Sequence, residues 1–426
     1  MKLSTAISLL AGATPLVSAA AAPKLERKIN YDGYKAYSIA THHNPATIKA
    51  KLAKFAAIPF NLDNDEHLDI AIPAEEVAAF EALGLETQLM HEDLGADIAE
   101  EGQFAAYNSV GAQAVPSLTW FNSYHAYADH ITFFNDLQAS FPNASEIFTI
   151  GKSFQGRDIF GIHIWGSGGK GSKPAIYFHG TVHAREWISA KVVEYITYHL
   201  LTQYATDAAV RAIRDKFDFY ILPVVNPDGF VYTQTNDRLW RKNRQTRSGA
   251  SCVGTDQNRN WPYQWSVSGG ASTDPCSETY KGAAAGDTPE IKALTAFTTT
   301  LKNNKGIRLY IDWHSYGQYI LLPYGYNCAA RATNHAAQSS LASGMATRIK
   351  QSYGTTFTTG PSCSTLYQTT GSAPDYLTGV GGATYAWTIE LRPAGSSGGG
   401  FVLPAGQILP SSIEQWEGIK YVLAQV

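Results

Sequence analysis

The stretch from Ala175 to Tyr204 limits what this chain can fold into more than any other. Residues Ala175-Ile-Tyr-Phe-His-Gly180 form a short apolar run closed by glycine, the pattern of a buried strand, and from Trp187 the apolar residues Ile188, Val192, Ile196 and Leu200 recur at helical spacing. A buried strand feeding a helix through a short turn is the unit of an α/β sheet with helices on its faces. The turn, His183-Ala-Arg-Glu-Trp187, sets an imidazole and a carboxylate three residues apart at the carboxyl end of the strand. Open α/β sheets place ligand sites there, because helices cover the faces and leave a crevice beyond the strand ends. Taken alone, His-x-x-Glu is weak in a chain with 12 His, and a solvated turn explains it more readily than a metal site.

Other segments supply the missing pieces. Ile307 to Trp313 reads as a second strand with His314-Ser315-Tyr316 at its end, so another imidazole reaches the same sheet edge. Two His and one Glu leave a fourth tetrahedral position for water, whereas four protein ligands would close the site and make it structural. The pattern Tyr385-Ala-Trp-Thr-Ile389 reads as a third strand, and Glu390 at its end points a carboxylate into the same crevice. The dipeptide His91-Glu92 lacks the second His of the helical His-Glu-x-x-His type. Arg238, Arg241 and Arg244, three residues apart, suit one side of a solvated helix as well as a site, and Asn258-Arg259-Asn260 suits an ordinary turn.

Six ordered blocks then carry a family resemblance: His183-Ala-Arg-Glu-Trp187, Leu239-Trp-Arg-Lys-Asn-Arg244, Asp256-Gln-Asn-Arg-Asn-Trp261, His314-Ser-Tyr316, Leu366-Tyr-Gln368 and Thr388-Ile-Glu-Leu-Arg392. From about Trp120 to the C-terminus the chain resembles the secreted zinc metallocarboxypeptidases of the pancreatic carboxypeptidase A type, peptidase family M14, and among them the fungal members made as zymogens. The resemblance implies an α/β fold: a mixed, twisted, eight-stranded sheet flanked by helices, preceded by a small α+β open-sandwich propeptide domain. It implies one zinc ion per chain on His183, Glu186 and His314, the ligand set for which carboxypeptidase A itself is the standing example. Asp256 would hold the free imidazole nitrogen of His183.

By the same resemblance, Asn258 and Arg259 clamp the free carboxylate of a peptide terminus, a task that suits the planar fork of arginine. Tyr367 closes over the bound terminus, and Arg185, Ser315 and Tyr316 are further substrate contacts. Glu390 takes a proton from the attacking water and passes it to the leaving amine, while Arg241 meets the developing oxyanion. Thr369, Pro374 and Thr388 line the pocket for the terminal side chain. Pro374 stands where basic-specific relatives carry an acid and A-type relatives an aliphatic residue, so no carboxylate there can pair a buried Lys or Arg, and an apolar or aromatic terminal residue is expected. Asp375, next along the chain, would reverse that expectation if a shifted loop brought it into the pocket.

The remainder fits a secreted zymogen. Residues 1–19 have the Lys, apolar core and small-residue end of a removable signal peptide. Every Trp lies from Trp120 onward and every Cys from Cys252 onward, while residues 61–102 hold 13 Asp and Glu and no Lys or Arg, so the N-terminal part is a different unit. The expected division is a signal peptide at 1–19, a propeptide at 20–112 and a catalytic domain at 113–426. Residues 24–112 carry 15 acids and 7 bases, net −8, against 21 acids and 25 bases, net +4, for 113–426. Opposite signs favour docking of the two parts, and the acidic run equally serves solubility. Within Gly102 to Pro116 the composition is that of an exposed linker open to proteolysis, without a dibasic site to mark the cut. Strand-like Leu68 to Ile72 followed by helical Ala74 to Leu83 suggests a small α+β unit.

Four Cys allow three pairings, and no Cys-x-x-Cys supports a second metal site; the resemblance favours Cys252 with Cys276 and Cys328 with Cys363. Asn143-Ala-Ser145 is a glycosylation sequon. A net charge of −3 without a basic tract argues against nucleic acid as a partner, and no apolar run beyond the leader is long enough to span a bilayer. The expected protein is a secreted monomer. Its partners are peptide and protein C-termini as substrates, its own propeptide as inhibitor and an activating protease. Two alternatives remain at this level: an inactive secreted module that binds peptide C-termini, and a metal amidase acting on N-acyl amino acids.

Overall fold

The computed structural model describes residues 28–61, 66–111, 114–395 and 398–426. The expected signal peptide at 1–19 and the expected domain cut between 112 and 113 lie outside the described residues.

The N-terminal unit is a four-stranded antiparallel sheet in the order β2-β3-β1-β4, formed by β1 (Lys35–Ala40), β2 (Ile58–Pro59), β3 (His67–Ile72) and β4 (Thr87–His91). Strand β3 is buried on both faces, and its alternation divides the work. Leu68, Ile70 and Ile72 pack with Phe80 and with Ile48 and Leu52 of helix Pro45–Leu52, which makes the unit's own core. Ala71 faces the other way, into a cluster shared with Leu239, Phe401 and Val402 of the C-terminal unit. The sheet is thus covered by its helices on one side and by the larger unit on the other. The expected helix from Ala74 to Leu83 is shorter: a 3-10 turn, Ala74–Glu76, precedes helix Val77–Glu81. Pro73 sets the turn's start, and Gly84 at a φ of +59° takes the chain out of helical geometry.

The large sheet has the order β11-β10-β12-β9-β7-β8-β6-β5. Its strands are β5 (Ser145–Lys152), β6 (Asp158–Ile164), β7 (Ala175–Gly180), β8 (Asp218–Leu222), β9 (Ile307–Ser315), β10 (Tyr319–Leu322), β11 (Thr358–Pro361) and β12 (Tyr385–Leu391). Four central strands, β12-β9-β7-β8, are parallel, and antiparallel pairs extend the sheet on both sides. Parallel strands need helices over both faces, and each central strand sorts its residues accordingly. Ile176 and Phe178 of β7, with Leu309, Ile311 and Trp313 of β9, meet helices Trp187–Thr202, His335–Tyr353 and Ile408–Gln425. Tyr177 and Tyr310 face the opposite layer with Ile291 and Leu294 of helix Pro289–Asn304. After β7 the chain crosses to β8 on one side and later to β9 on the other, so a crevice opens beyond the ends of β7 and β9.

The two units are joined through residues 102–111, which are exposed over most of their length yet anchored. Phe104 packs on Trp187 and Tyr107 meets Trp120 edge-on, while Tyr107 Oη, Ser109 Oγ and the Val110 amide all donate to the buried carboxylate of Asp136. Two disulfides pin loops of the large unit, Cys252 with Cys276 and Cys328 with Cys363.

Candidate active site and metal centre

His183 and Glu186 sit on the turn after β7, in the four residues before helix Trp187–Thr202, and Ser189 Oγ braces the turn by donating to the Glu186 carbonyl. Strand β9 runs two residues past the expected Trp313, so His314 and Ser315 belong to the strand and not to a loop. Glu390 likewise lies within β12, directly opposite His314 in the parallel register.

Three donor groups converge. The ligand atoms of His183, Glu186 and His314 all lie within 4.8 Å of one another, and among the described residues no other group of three His, Cys, Asp or Glu does so. Nδ1 of His183 is 2.8 Å from one Glu186 oxygen, Nδ1 of His314 is 3.1 Å from the other, and the two Nδ1 atoms are 3.1 Å apart. The outward nitrogens are held by carboxylates, His183 Nε2 at 3.1 Å from Asp256 Oδ1 and His314 Nε2 at 2.8 Å from Asp312 Oδ2. With a cation at the point these groups face, each Nδ1 would turn a lone pair to it and each Nε2 would carry its hydrogen toward a carboxylate, which only accepts. Two bare nitrogens and a carboxylate facing one point, all buried, suit a cation and nothing neutral. Burial opposes the charge on Glu186, and the two imidazoles, in their protonated form, outweigh it and hold its carboxyl down at about 2.

Asp312 is the residue that the sequence reading missed. Its signal was present, since Asp312-Trp-His314 puts carboxylate and imidazole on one face of a strand with a period of two. The reading of Arg238, Arg241 and Arg244 as one side of a solvated helix is corrected by the structure. Helix Pro227–Thr235 ends before them, and all three guanidiniums are buried. Arg241 donates through Nε and Nη2 to Asp256 Oδ2, at 3.2 and 2.8 Å, with Nη1 4.0 Å from Glu186. Asp256 thus ties Arg241 to His183, and these charges hold its carboxyl low against the opposing effect of burial.

Around this centre one cleft is lined by Arg241, Asn258, Arg259, Ser315, Tyr316 and Tyr367, and by Thr369, Pro374 and Thr388. Asn258 and Arg259 lie in a short 3-10 turn, where Asn258 Oδ1 accepts from the Ala373 amide and Arg259 donates to the carbonyls of Gly270 and Asn258. The Ser315 amide donates to Glu186 at 3.2 Å. Arg185 is almost fully buried, donates to the carbonyls of Phe60 and Leu239, and stacks its guanidinium 4.1 Å over Phe401. Tyr316 donates its hydroxyl to Asp69 at 2.6 Å. Asp375 also lines the cleft, with its two oxygens accepting the amides of Gly325 and Tyr326.

Residues 130–418 match the Peptidase M14 family of zinc carboxypeptidases. The chain belongs to the zinc carboxypeptidase family. It is 45% identical over 406 residues to a metallocarboxypeptidase A of Trichophyton rubrum, covering 93% of this chain and 94% of that one. It is 33% identical to mouse carboxypeptidase A2, over 83% of this chain and 82% of that one. The crystal structure of carboxypeptidase A from Helicoverpa armigera superposes with a TM-score of 0.76 at 28% identity, covering 93% of this chain and 97% of that one. The protein is a carboxypeptidase A-like metalloenzyme, and its family implies zinc. Among the described residues no helix of the zinc carboxypeptidase is long and apolar enough to cross a membrane.

Proposed function

We propose that this carboxypeptidase releases apolar or aromatic residues from peptide C-termini, with one zinc ion held by His183, Glu186 and His314. The observation that carries the reading is the convergence of those three donors beside Glu390 in one cleft with Arg241 and Arg259. When bound, zinc supplies Lewis-acid chemistry, polarising a peptide carbonyl and acidifying water. Glu390 accepts the proton released as the water oxygen bonds to the carbonyl carbon, then returns it to the nitrogen as the carbon–nitrogen bond breaks. Arg241 holds the carbonyl oxygen as negative charge builds on it. Arg259 and Asn258 fix the free carboxylate, Tyr367 closes the cleft, and Arg185, Ser315 and Tyr316 flank the peptide. Arg241→Ala is expected to keep its zinc and lose about a hundredfold to a thousandfold in kcat. Metal analysis beside steady-state kinetics checks this, and a kcat near that of the parent removes Arg241 from the mechanism.

Terminal-residue preference follows from Asp375. Its carboxylate lines the cleft, but both oxygens are taken by backbone amides and burial pushes it up to about 7 despite them, so burial opposes the charge that a Lys or Arg side chain would pair with. Thr369, Pro374 and Thr388 add none.

The N-terminal unit serves as an inhibitory propeptide, residues 20–112, ahead of a catalytic domain at 113–426. Phe60, Asn61 and His67 line the same cleft, and Arg185 and Tyr316 are both engaged by that unit, by Phe60 and Asp69. Secretion behind a leader at 1–19 accords with the two disulfides, which persist in oxidising compartments. Asn143 is exposed in the turn before β5 and accessible to glycosylation.

The deciding experiment follows release from matched peptides ending in Phe, Leu, Lys or amidated Phe, using processed protein with and without a zinc chelator. Chelator-sensitive release from Phe and Leu ends, with Lys and the amide spared, is the expected result. Release of Lys overturns the pocket assignment, and silence from zinc-loaded protein overturns the peptidase reading.

A further inference from the structure

A line of buried polar groups runs beneath His314 that no step above uses. Tyr310, Asp312 and His314 occupy one face of β9 at two-residue spacing, and in the parallel register His179 of β7 stands opposite Asp312. All four are at most 1% exposed. Asp312 Oδ2 lies 2.8 Å from His314 Nε2, its Oδ1 lies 3.2 Å from His179 Nδ1, and the Tyr310 hydroxyl lies 2.5 Å from His179 Nε2. Neither oxygen of Asp312 has a donor in hydrogen-bond geometry, so the two imidazoles close beside it are the groups that offset the burial of its charge.

One placement of protons turns a donor toward each Asp312 oxygen, at the expense of the longer 3.4 Å approach of the Asn258 amide nitrogen to His314 Nε2. Asp312 accepts, which puts hydrogens on His314 Nε2 and His179 Nδ1. His179 Nε2 is then a lone pair, and the Tyr310 hydroxyl donates to it. The opposite tautomer of His179 would turn a lone pair toward Asp312 and leave the carboxylate with a single donor. Tyr310 therefore selects the His179 tautomer, His179 orients Asp312, and Asp312 leaves His314 Nδ1 bare, facing His183 Nδ1 at 3.1 Å.

We infer that Asp312, His179 and Tyr310 are positioning residues of the metal centre, a three-member chain that fixes the tautomer and ring plane of His314 and so sets how tightly zinc is held. The inference rests on the assignment of His183, Glu186 and His314 as the zinc ligands. His183 takes its support from Asp256 on a loop, whereas the support of His314 is built into the β7–β9 pair at the centre of the sheet. Metal affinity is thereby tied to the register of two core strands.

The test measures zinc affinity of the full-length chain by competition with a chromophoric chelator, together with the visible spectrum of the cobalt-substituted protein. Parent, Asp312→Asn, Tyr310→Phe and His314→Ala are compared. Asp312→Asn presents an amide where two imidazoles need an acceptor, and its zinc affinity is expected to fall about tenfold to a hundredfold with an altered cobalt spectrum. Tyr310→Phe keeps the ring that packs beside Tyr177 and removes only the donor, so a smaller loss in the same direction is expected. Parent-like affinity and spectrum in Tyr310→Phe and in folded Asp312→Asn overturn the inference, and Tyr310→Phe decides alone if Asp312→Asn does not fold. A parent without zinc, or a His314→Ala variant that holds it undiminished, overturns the ligand assignment instead.

Discussion

Glu390→Gln is expected to fold, to retain zinc and to lose about a hundredfold to ten-thousandfold in turnover on a peptide ending in Phe. The side chains are nearly isosteric, so the cleft keeps its shape, but an amide cannot take a proton from water at neutral pH. Glu390 is suited to the task by its surroundings. It stands opposite His314 in the register of two buried strands, where burial raises its carboxyl to about 8 against the pull of His314 and Arg241. A cation in the site adds positive charge and lowers that value. The base must be ionised, so activity should rise with pH through a limb below pH 8, and that limb should be absent from the residual activity of Glu390→Gln. Parallel measurement of kcat/KM against pH and of bound zinc separates loss of the base from loss of the metal. A Gln variant with full turnover would falsify the assignment.

The principal site groups were legible in the sequence where a strand period or a strand-to-helix turn places a residue by itself. His183 and Glu186 follow an apolar run, and His314 and Glu390 end two others, so periodicity alone brings all four to one edge of a sheet. What escaped depends on register. His179 lies inside the apolar run of β7, and nothing local tells that it stands opposite Asp312, because the pairing of two strands more than a hundred residues apart is set by packing of the whole sheet. Arg238 escaped for a related reason. Three-residue spacing favours a helix only where a helix forms, and here Asn236 ends the helix while a buried carboxylate takes the guanidinium. The acidic N-terminal run was compatible with docking or with simple solubility. One of its carboxylates, Glu101, turns out to be buried at the joint between the two units.

That carboxylate leads to the second large effect. Glu101→Ala is expected to make the unprocessed chain active while leaving the processed enzyme unchanged. Arg238 grips Glu101 through two nitrogens, Nε at 2.5 Å and Nη2 at 2.9 Å, and also donates to the carbonyls of Arg185 and Phe401 while stacking 3.8 Å over Trp187. Removing the acid strands a buried guanidinium, a loss of about 3–5 kcal/mol when one partner of such a pair is deleted. The remaining polar ties between the units include Tyr31 to Asp237 at 2.6 Å, the Ile29 amide to the Asn236 carbonyl at 2.7 Å, His91 to the Gly399 carbonyl at 2.7 Å, Arg185 to the Phe60 carbonyl at 3.1 Å, and Tyr316 to Asp69. They do not replace a buried bidentate pair. At about 1.4 kcal/mol per tenfold, the population with the N-terminal unit lifted from the cleft should rise by at least about a hundredfold. Lifting frees Arg185 and Tyr316 from Phe60 and Asp69 and opens the cleft to peptide. Glu101 lies on the side of the chain that processing would remove, so the mature enzymes from parent and variant have the same sequence and serve as the internal control. Release of Phe before processing should therefore be far higher in the variant, and equal afterward. An unprocessed variant as silent as its parent would show that the Glu101–Arg238 pair does not hold the cleft shut.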